Sequence, residues 1–292
     1  MLFGAHMSIA GGVDKAIDRA AQVGCDAVQI FTKNNNQWAA KPIPPAQVER
    51  FRQRQAEAGI RAVVAHDSYL INLASPDEAL WEKSVVAFRV ELERCELLGV
   101  PYLVTHPGSH TGAGEEVGIR RVAQALNRIH AELPGYRVIT LLEITAGQGS
   151  ALGYRFEQLR AIVDLVAAPE RVGYCFDTCH AFAAGYELRT PEGYAETMDA
   201  FDRILGLRNL RALHLNDSKR ELGSRVDRHD HIGAGMIGLA GFYNVVNDPR
   251  LAGLPGLLET PKSEDLHEDA ENLARLRSLI GAPRPAEGDA MA

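Results

Sequence analysis

The segment LRALHLNDSKRELGSRVDRHDHIG (210–233) joins a short apolar run to a long polar loop and shows how the chain is built. The apolar run ends on His214, and the loop carries Asp227, Arg228 and His229. In an extended segment residues i and i+2 point the same way, so Asp227 and His229 can hold one metal ion while Arg228 points elsewhere. A strand that ends on a side chain able to bind metal is the unit that recurs along the chain.

Eight short β-rich runs follow one another, and each is followed by a stretch with the periodicity of an amphipathic helix. The predicted strands end at residues 6, 31, 66, 106, 143, 177, 214 and 259. Apolar strands that alternate with helices indicate a parallel sheet buried on both faces. Eight such units in 292 residues predict an α/β fold, the (β/α)8 TIM barrel, and a doubly wound open sheet is the competing prediction.

The chain contains no internal repeat, low-complexity segment or linker that would divide it into two domains. We therefore expect a single TIM-barrel domain over residues 1–281. The last residues, APRPAEGDAMA (282–292), have the composition of a flexible C-terminal tail.

The composition restricts the classes of protein to which the chain can belong. No run approaches the ~20 apolar residues of a membrane span, and the start MLFGAHMS lacks the features of a signal peptide. The four cysteines are scattered, as expected of reduced thiols in a cytoplasmic protein. The net charge of −7 argues against a protein that coats nucleic acid. Bound cations would offset that charge, however, so a phosphodiester substrate is not excluded.

The residue that ends each predicted strand is the strongest indication of function. Only the second strand ends without a side chain able to bind metal, and Lys33 follows it by two positions. The other seven end on His6, His66, His106, Glu143, Asp177, His214 and Glu259. In a barrel these positions meet at the C-terminal face, where active sites lie. One such residue is usually structural, whereas seven together indicate a site that holds cations.

Loops add three further candidates. His180 lies three residues beyond Asp177, where a turn would place it beside the strand end, and Asp227 and His229 lie in the segment quoted first. Imidazoles and carboxylates without thiolates suit Zn²⁺, with Mn²⁺, Fe²⁺ or Co²⁺ as alternatives. The nine candidate ligands are His66, His106, Glu143, Asp177, His180, His214, Asp227, His229 and Glu259.

Nine ligands are too many for one ion. If one carboxylate bridges, they fill three sites with three or four protein ligands each, which leaves positions open for water and substrate. Metals clustered ~3.5–4 Å apart are typical of phosphoryl-transfer hydrolysis. Two other histidines, His130 and His267, lie inside predicted helices and are expected to face solvent.

The segment GAGMIG (233–238) matches the G-x-G-x-x-G pattern of dinucleotide-binding loops. It follows a charged loop and not a strand, and no acidic residue ends a following strand at the required offset of ~20 residues. We therefore expect no nucleotide cofactor.

Five segments are long and specific enough to indicate a family. They are HDSYLINLASP (66–76), HPGSH (106–110), TAGQGSALG (145–153), FDTCHAFAAGYELRTP (176–191) and HLNDSKRELGSRVDRHDHIGAGMIG (214–238). The chain closely resembles endonuclease IV, the type-2 family of apurinic/apyrimidinic (AP) DNA endonucleases, over nearly its whole length. The resemblance implies a TIM barrel with a trinuclear zinc site.

The resemblance also implies how the nine ligands divide among three ions. The first zinc would be held by His66, His106 and Glu143, the second by Glu143, Asp177, His214 and Glu259, and the third by His180, Asp227 and His229. Glu143 would bridge the first two ions, and Mn²⁺ is an alternative occupant of part of the site. The predicted catalytic residues are the carboxylates Glu143, Asp177 and Glu259.

The implied substrate is duplex DNA that contains an abasic site. Hydrolysis of the phosphodiester 5′ to the lesion would leave a 3′-hydroxyl and a 5′-deoxyribose phosphate, with hydroxide attacking the phosphorus and the metals stabilising the departing 3′-oxygen. Removal of 3′-blocking groups would be a further activity. A monomeric, cytoplasmic protein is expected, without membrane partners.

Several residues are predicted to contact the DNA. By the resemblance, Tyr69 and Leu70 would insert into the minor groove, a role that apolar wedges often have. Asn36 stands where the family commonly carries an inserting arginine, so the means of holding the damaged helix open is expected to differ here. The candidate phosphate contacts are Lys33, Lys219, Arg225 and Arg228, for which ordinary solvated charge is the alternative interpretation.

Two other functions are compatible with parts of the pattern. A metal-dependent sugar isomerase or epimerase on the same barrel also gathers histidines and carboxylates. It would need only one or two metals, which leaves His180, Asp227 and His229 unexplained. A non-catalytic DNA-binding protein is disfavoured because so many ligands build an open, reactive centre.

Overall fold

The structure is a computed structural model that describes residues 1–285. Residues 286–292 of the predicted flexible tail lie outside the described residues, so that prediction stays open. The described strands are β1 Leu2–Met7, β2 Ala27–Phe31, β3 Ala62–His66, β4 Tyr102–Thr105, β5 Ile139–Glu143, β6 Val172–Asp177, β7 Leu210–His214, β8 Asp217–Ser218, β9 His229–Asp230 and β10 Pro255–Leu258. The helices are α1 Val13–Gln22, α2 Pro45–Glu57, α3 Glu78–Leu98, α4 Glu115–Glu132, α5 Phe156–Val163, α6 Thr178–Ala184, α7 Pro191–Leu205, α8 Gly238–Val246 and α9 His267–Ser278.

Eight strands form a closed barrel in the order β1-β10-β7-β6-β5-β4-β3-β2. Every neighbouring pair is parallel, including the closing pair, in which Leu2 is opposite Pro255. The predicted TIM barrel is therefore confirmed, and the open sheet is excluded. Each barrel strand ends within one residue of its predicted end. All the strand ends consequently lie at one rim of the barrel.

The barrel has two apolar layers. Its interior is filled by small and branched side chains, one from each of seven strands: Ala27, Val64, Val104, Leu141, Cys175, Ala212 and Leu257. A larger layer of buried residues, including Phe51, Phe88, Phe156 and Phe201, packs between the strands and the surrounding helices. The site residues therefore project from a rigid support. None of the helices within residues 1–285 combines the length and apolar character needed to cross a membrane.

The chain after β6 differs from the prediction. A turn was expected beyond Asp177, but helix α6 begins immediately and carries His180 in its first turn. The Asp177 carboxylate caps this helix by accepting a hydrogen bond from the His180 amide at 2.7 Å. Gly185 ends the helix at a φ of 109°, a conformation that favours glycine. The relative orientation of Asp177 and His180 is thus set by helix geometry.

The prediction that His130 faces solvent is wrong, whereas His267 is exposed as expected. His130 lies on the buried face of α4, one turn after Leu126, and the apolar periodicity of that helix could have indicated this. Burial lowers the pKa of its imidazole to about 4. This histidine is far along the helix from the strand ends and belongs to the packing layer.

Gly4 in β1 provides a test of the barrel geometry. A methyl group at this position would collide with the Ala27 carbonyl on β2, the strand paired with it. Gly4→Ala should therefore lower the free energy of unfolding by about 1–3 kcal/mol, the usual cost of overpacking a well-packed core. Urea unfolding followed by circular dichroism measures the change. Ala21→Ser, at an exposed position of α1, is the control, and equal stabilities of the two variants would contradict the close approach.

Candidate metal centre

Glu143 lies fully buried at the centre of the strand ends and connects two groups of ligands. One carboxylate oxygen, Oε2, is 3.3 Å from His66 Nε2 and 3.4 Å from His106 Nε2. The other, Oε1, is 3.1 Å from His214 Nδ1. The two oxygens thus face two different sets of donors, which is the geometry that a bridging carboxylate requires.

The second group lies on the far side of Glu143. It is made of Glu143, Asp177, His214 and Glu259. His214 Nδ1 is 3.3 Å from Glu259 Oε2 and 3.7 Å from Asp177 Oδ2. Strands β5, β6 and β7 and the residue that follows β10 deliver these side chains, and the four strands are neighbours in the barrel.

The third group combines helix α6 with the hairpin of β8 and β9. His180 Nε2 is 3.2 Å from Asp227 Oδ2, and His229 Nε2 is 3.4 Å from Asp227 Oδ1. Asp227 and His229 do lie on one side of the extended segment, as the i, i+2 spacing predicts. In each of the three groups the possible ligand atoms lie within 4.8 Å of one another. The predicted grouping of the nine residues is therefore present in the fold, and their binding of metal stays a prediction.

The electrostatics of these groups fit bound cations. Burial alone would raise the pKa of Glu143, but the imidazoles of His214 and His106 hold it well below its usual range. Burial alone would lower the pKa of His66, but the Glu143 carboxylate raises it to about 9. Burial likewise opposes ionisation of Asp227, and the His180 imidazole lowers its pKa. The carboxylates therefore stay ionised only with positive charge beside them, which protonated imidazoles or metal ions can supply.

The Nδ1 atoms of three histidines also have suitable backbone partners, and that of His180 lies in addition 3.0 Å from Glu143 Oε1. His66 Nδ1 is 2.9 Å from the Asp67 carbonyl, His180 Nδ1 is 3.0 Å from the Ile144 carbonyl, and His229 Nδ1 is 3.2 Å from the Glu259 carbonyl. Donation of the remote N–H to such an acceptor leaves Nε2 free as a ligand atom, the usual arrangement for metal-binding histidines. Ile144 contributes its backbone carbonyl to this contact.

Gln29 is a site residue that the sequence reasoning missed. Its Oε1 is 2.8 Å from His214 Nε2, and its Nε2 donates to Glu259 Oε1 at 2.5 Å. The same Nε2 lies 3.0 Å from His6 Nδ1, and burial lowers the pKa of His6 to about 3, so that His6 is a neutral acceptor. Gln29 therefore orients His214 with Nδ1 toward the cluster. The sequence did contain an indication of this role, because Gln29 is an amide residue within the otherwise apolar strand AVQIF and a buried amide needs hydrogen-bond partners.

Asn216 is a second missed residue, two positions after His214. Its Nδ2 donates to Asp177 Oδ2 at 2.8 Å, and its Oδ1 accepts from the Glu259 amide at 2.7 Å. One side chain thus fixes the ends of β6 and β10 relative to each other.

The G-x-G-x-x-G segment binds a carboxylate of its own chain. Asp217 Oδ2 accepts hydrogen bonds from the amides of Gly233 and Gly238, and Oδ1 accepts from Ile237. A side chain on Gly235 would collide with Ser218 O and Asp217 Oδ1, which explains that glycine. The amides that would bind phosphate in a dinucleotide site are therefore occupied. Asp217, a possible metal ligand by type, instead anchors the loop that carries Asp227 and His229.

Two other groups of metal-binding residue types are less suitable. Cys179 lies near Asp177 and His229, but burial raises the pKa of its thiol to about 12, which leaves no thiolate at neutral pH. Asp265, His267 and Glu268 are close together in sequence, the first two exposed and the third partly buried, as surface charges commonly are.

The predicted DNA contacts of the loops after β2 and β3 have different surroundings. Tyr69 is 66% exposed, Asn36 is exposed and Leu70 is partly buried. A cleft of about 670 Å³ runs past Asn36 and Tyr69 to Glu259 in the metal cluster. Lys33, in contrast, is buried, and its ammonium lies 3.4 Å from Glu91. A phosphate contact by Lys33 would require breaking that ion pair, so the structure argues against the predicted role.

The three other candidate phosphate contacts, Lys219, Arg225 and Arg228, are exposed. Arg225 stacks over the Tyr154 ring at 4.1 Å and donates to the Gly147 carbonyl at 3.0 Å. Arg228 donates to the Asp227 carbonyl at 2.5 Å. All three lie on the hairpin that supplies the third group, and their contact with DNA stays a prediction.

Replacement of Gln29 tests the role that the structure gives it. Gln29→Leu should weaken metal binding about 10–100-fold, because the amide that orients His214 and Glu259 is lost. Isothermal titration of the chelator-treated protein with Zn²⁺ measures the affinity. Thr140→Val, which replaces a buried hydroxyl with no partner among residues 1–285, is the matched control. Identical affinities in the two variants would show that Gln29 does not orient the ligands.

The chain is similar to known proteins over nearly its whole length. The family model described as a xylose isomerase-like TIM barrel matches residues 17–279. A protein of Chloroflexus aurantiacus named "Probable endonuclease 4" is 58% identical over 278 residues, which are 95% of this chain and 98% of the relative. A protein of the same name from Geobacter sp. (strain M21) is 51% identical over 96% of this chain and 99% of the relative.

Solved structures distinguish the fold from the family. A D-tagatose 3-epimerase-like protein has a TM-score of 0.70, but at 19% identity it shows only that the fold is shared. The crystal structure of endonuclease IV from Thermus thermophilus has a TM-score of 0.84 at 40% identity, covering 96% of this chain and 98% of that one. With relatives at this level of identity matching end to end, the chain belongs to the endonuclease IV family.

Proposed function

We propose that the protein is a metal-dependent AP endonuclease that hydrolyses the phosphodiester 5′ to an abasic site in duplex DNA. Membership of the endonuclease IV family makes it a deoxyribonuclease. The proposed products are a 3′-hydroxyl and a 5′-deoxyribose phosphate. Removal of 3′-blocking groups is proposed as a second reaction at the same centre.

The third ligand group carries this proposal. His180, Asp227 and His229 lie beside the pair of groups bridged by Glu143, with His180 Nδ1 3.0 Å from Glu143 Oε1 and His229 Nε2 3.8 Å from Asp177 Oδ2. A sugar isomerase or epimerase needs one or two metals, and this group would have no role in it. A phosphodiester hydrolase must stabilise charge on both the attacking and the leaving oxygen, so a third set of ligands is useful there.

The nine residues would hold three Zn²⁺ ions, with Mn²⁺ as an alternative in part of the site. Such ions supply hydroxide at neutral pH and stabilise charge on phosphate oxygens. Glu143 would bridge the first two sites, since its two oxygens face different histidines. The predicted catalytic residues Glu143, Asp177 and Glu259 act by holding and orienting this centre, while Gln29 and Asn216 orient the ligands.

The rim of the cleft would recognise the lesion. Tyr69 and Leu70 would insert into the minor groove, and Asn36 lines the same cleft as Tyr69. Extrusion of the abasic sugar costs least where no base stacks or pairs. Lys219, Arg225 and Arg228 would contact phosphates on the other side of the centre. We propose that the protein works as a monomer in the cytoplasm, where its four free, buried cysteines stay reduced.

Incision of a defined substrate tests the function. Metal-replete protein is incubated with a duplex that contains one abasic site, and the products are separated on a denaturing gel. We expect a single cut 5′ to the lesion that a chelator abolishes and Zn²⁺ restores, because the ligand set holds the reactive metals. An undamaged duplex and a panel of ketoses are the controls. Epimerised sugar without DNA incision would favour the competing function and overturn this one.

Asp227→Ala tests the third group. The variant should retain its fold and two metal equivalents but lose the third ion and at least about 100-fold in turnover. Metal analysis and incision kinetics provide the two readouts. Asp230→Ala removes a neighbouring carboxylate that accepts a hydrogen bond from the His231 amide, and it should retain all three ions. Full turnover of Asp227→Ala would disprove the role given to the hairpin.

A further inference from the structure

Lys33 and Glu91 form an ion pair in the interior, away from the nine ligands. Their side chains are 3% and 1% exposed, and Lys33 Nζ is 3.4 Å from Glu91 Oε1. A pair buried to this degree gives up much hydration, so it is weak evidence for stability by itself. The other hydrogen bonds of Lys33 and Glu91 show which loops the ion pair connects.

The Glu91 carboxylate binds two loops at once. From the strand-two loop (residues 32–38), Thr32 Oγ1 donates to Glu91 Oε2 at 2.9 Å. From the strand-three loop (residues 67–73), the Ser68 amide donates to Glu91 Oε1 at 3.1 Å. Ser68 Oγ also donates to the Asn35 carbonyl at 2.5 Å, which joins the loops directly. Glu91 lies on α3, so both loops are hydrogen-bonded to the same long helix.

The Lys33 ammonium shapes the strand-two loop from inside. It donates to the Gln37 carbonyl at 2.6 Å and so closes residues 33–37 into a compact turn. Arg94, one turn after Glu91 on α3, donates to the Thr32 carbonyl at 3.0 Å and to the Lys41 carbonyl at 2.8 Å. The backbone that presents Asn36 is therefore held by buried charges, although Asn36 itself is exposed.

The two loops form one wall of the cleft that leads to the metal centre. Lys33, Asn34, Asn35 and Asn36 of the first loop and Tyr69 of the second line it, with the Lys33 ammonium engaged by Glu91 and the Gln37 carbonyl. A binding surface made of loops discriminates well only when the spacing of its contacts is set before the ligand arrives. A buried pair that determines this spacing would act on DNA binding and not on the bond that breaks.

We propose that Glu91 and Lys33 are positioning residues that set the spacing of the strand-two and strand-three loops for gripping damaged duplex DNA. The inference rests on the proposed function and deepens it. Lys33 thereby contributes to DNA binding from within the protein and does not contact phosphate. The pair takes no part in holding the metals, so its loss should separate DNA binding from hydrolysis.

The test compares Glu91→Gln and Lys33→Met with the parent protein on two substrates. For the duplex with one abasic site, each variant should raise KM about 10–100-fold with little change in kcat, because misplaced contacts weaken binding. Hydrolysis of bis(4-nitrophenyl) phosphate, a small phosphodiester that does not reach the loops, and metal content should stay at the parent level. The matched control is Glu82→Gln on the same helix as Glu91, which breaks an exposed ion pair with Arg128 of α4.

The double variant separates positioning from general instability. A single substitution leaves a buried charge without its partner, whereas Lys33→Met with Glu91→Gln removes both. The double variant should fold even where a single one does not, and its KM should rise no more than that of the worse single variant. Parent-level KM in the double variant, or equal losses on both substrates, would overturn the inference. Failure of the parent to incise would instead overturn the proposed function, and the inference with it.

Discussion

The contact between the buried Glu143 carboxylate and the histidines around it is the constraint on which the site depends. Glu143 is fully buried, and it lies within 3.4 Å of His66, His106 and His214. An ionised carboxylate in this position requires positive charge on both sides. Strands β3 and β7 and the residue that follows β4 bring that charge to it, so the centre depends on strands that the barrel brings together from distant parts of the chain.

Hydrogen bonds from the surrounding residues fix the orientation of the candidate ligands. Backbone carbonyls accept from Nδ1 of His66, His180 and His229, and an amide side chain accepts from Nε2 of His214. The hairpin that supplies the third group is pinned by Asp217, whose carboxylate binds glycine-rich backbone. Farther out, the Lys33–Glu91 pair holds the cleft wall. Ligands, hairpin and wall are thus each fixed by buried polar contacts, which preorganises the site for a large substrate.

Much of this could be predicted because the relevant signals are local. Strand length, helix periodicity and the residue at each strand end are read within a few positions, and together they predict the barrel and its ligand set. Lys33 and Gln29 make contacts that cannot be predicted from their neighbours in the sequence. Lys33 resembles any exposed lysine after a strand, yet its partner Glu91 lies far along the chain on α3, and Gln29 meets His214 from 185 positions away. No spacing rule encodes such contacts.

The (β/α)8 fold, the nine candidate ligands and the resemblance to endonuclease IV all follow from residue types at regular or motif-like positions in the chain. Three further features depend on tertiary contacts: His180 lies on a helix capped by Asp177, the G-x-G-x-x-G segment binds Asp217, and Lys33 faces Glu91. The physical reason is burial. A polar side chain removed from water must find its partner in whatever the fold brings near, and the fold brings near residues that are distant in the chain.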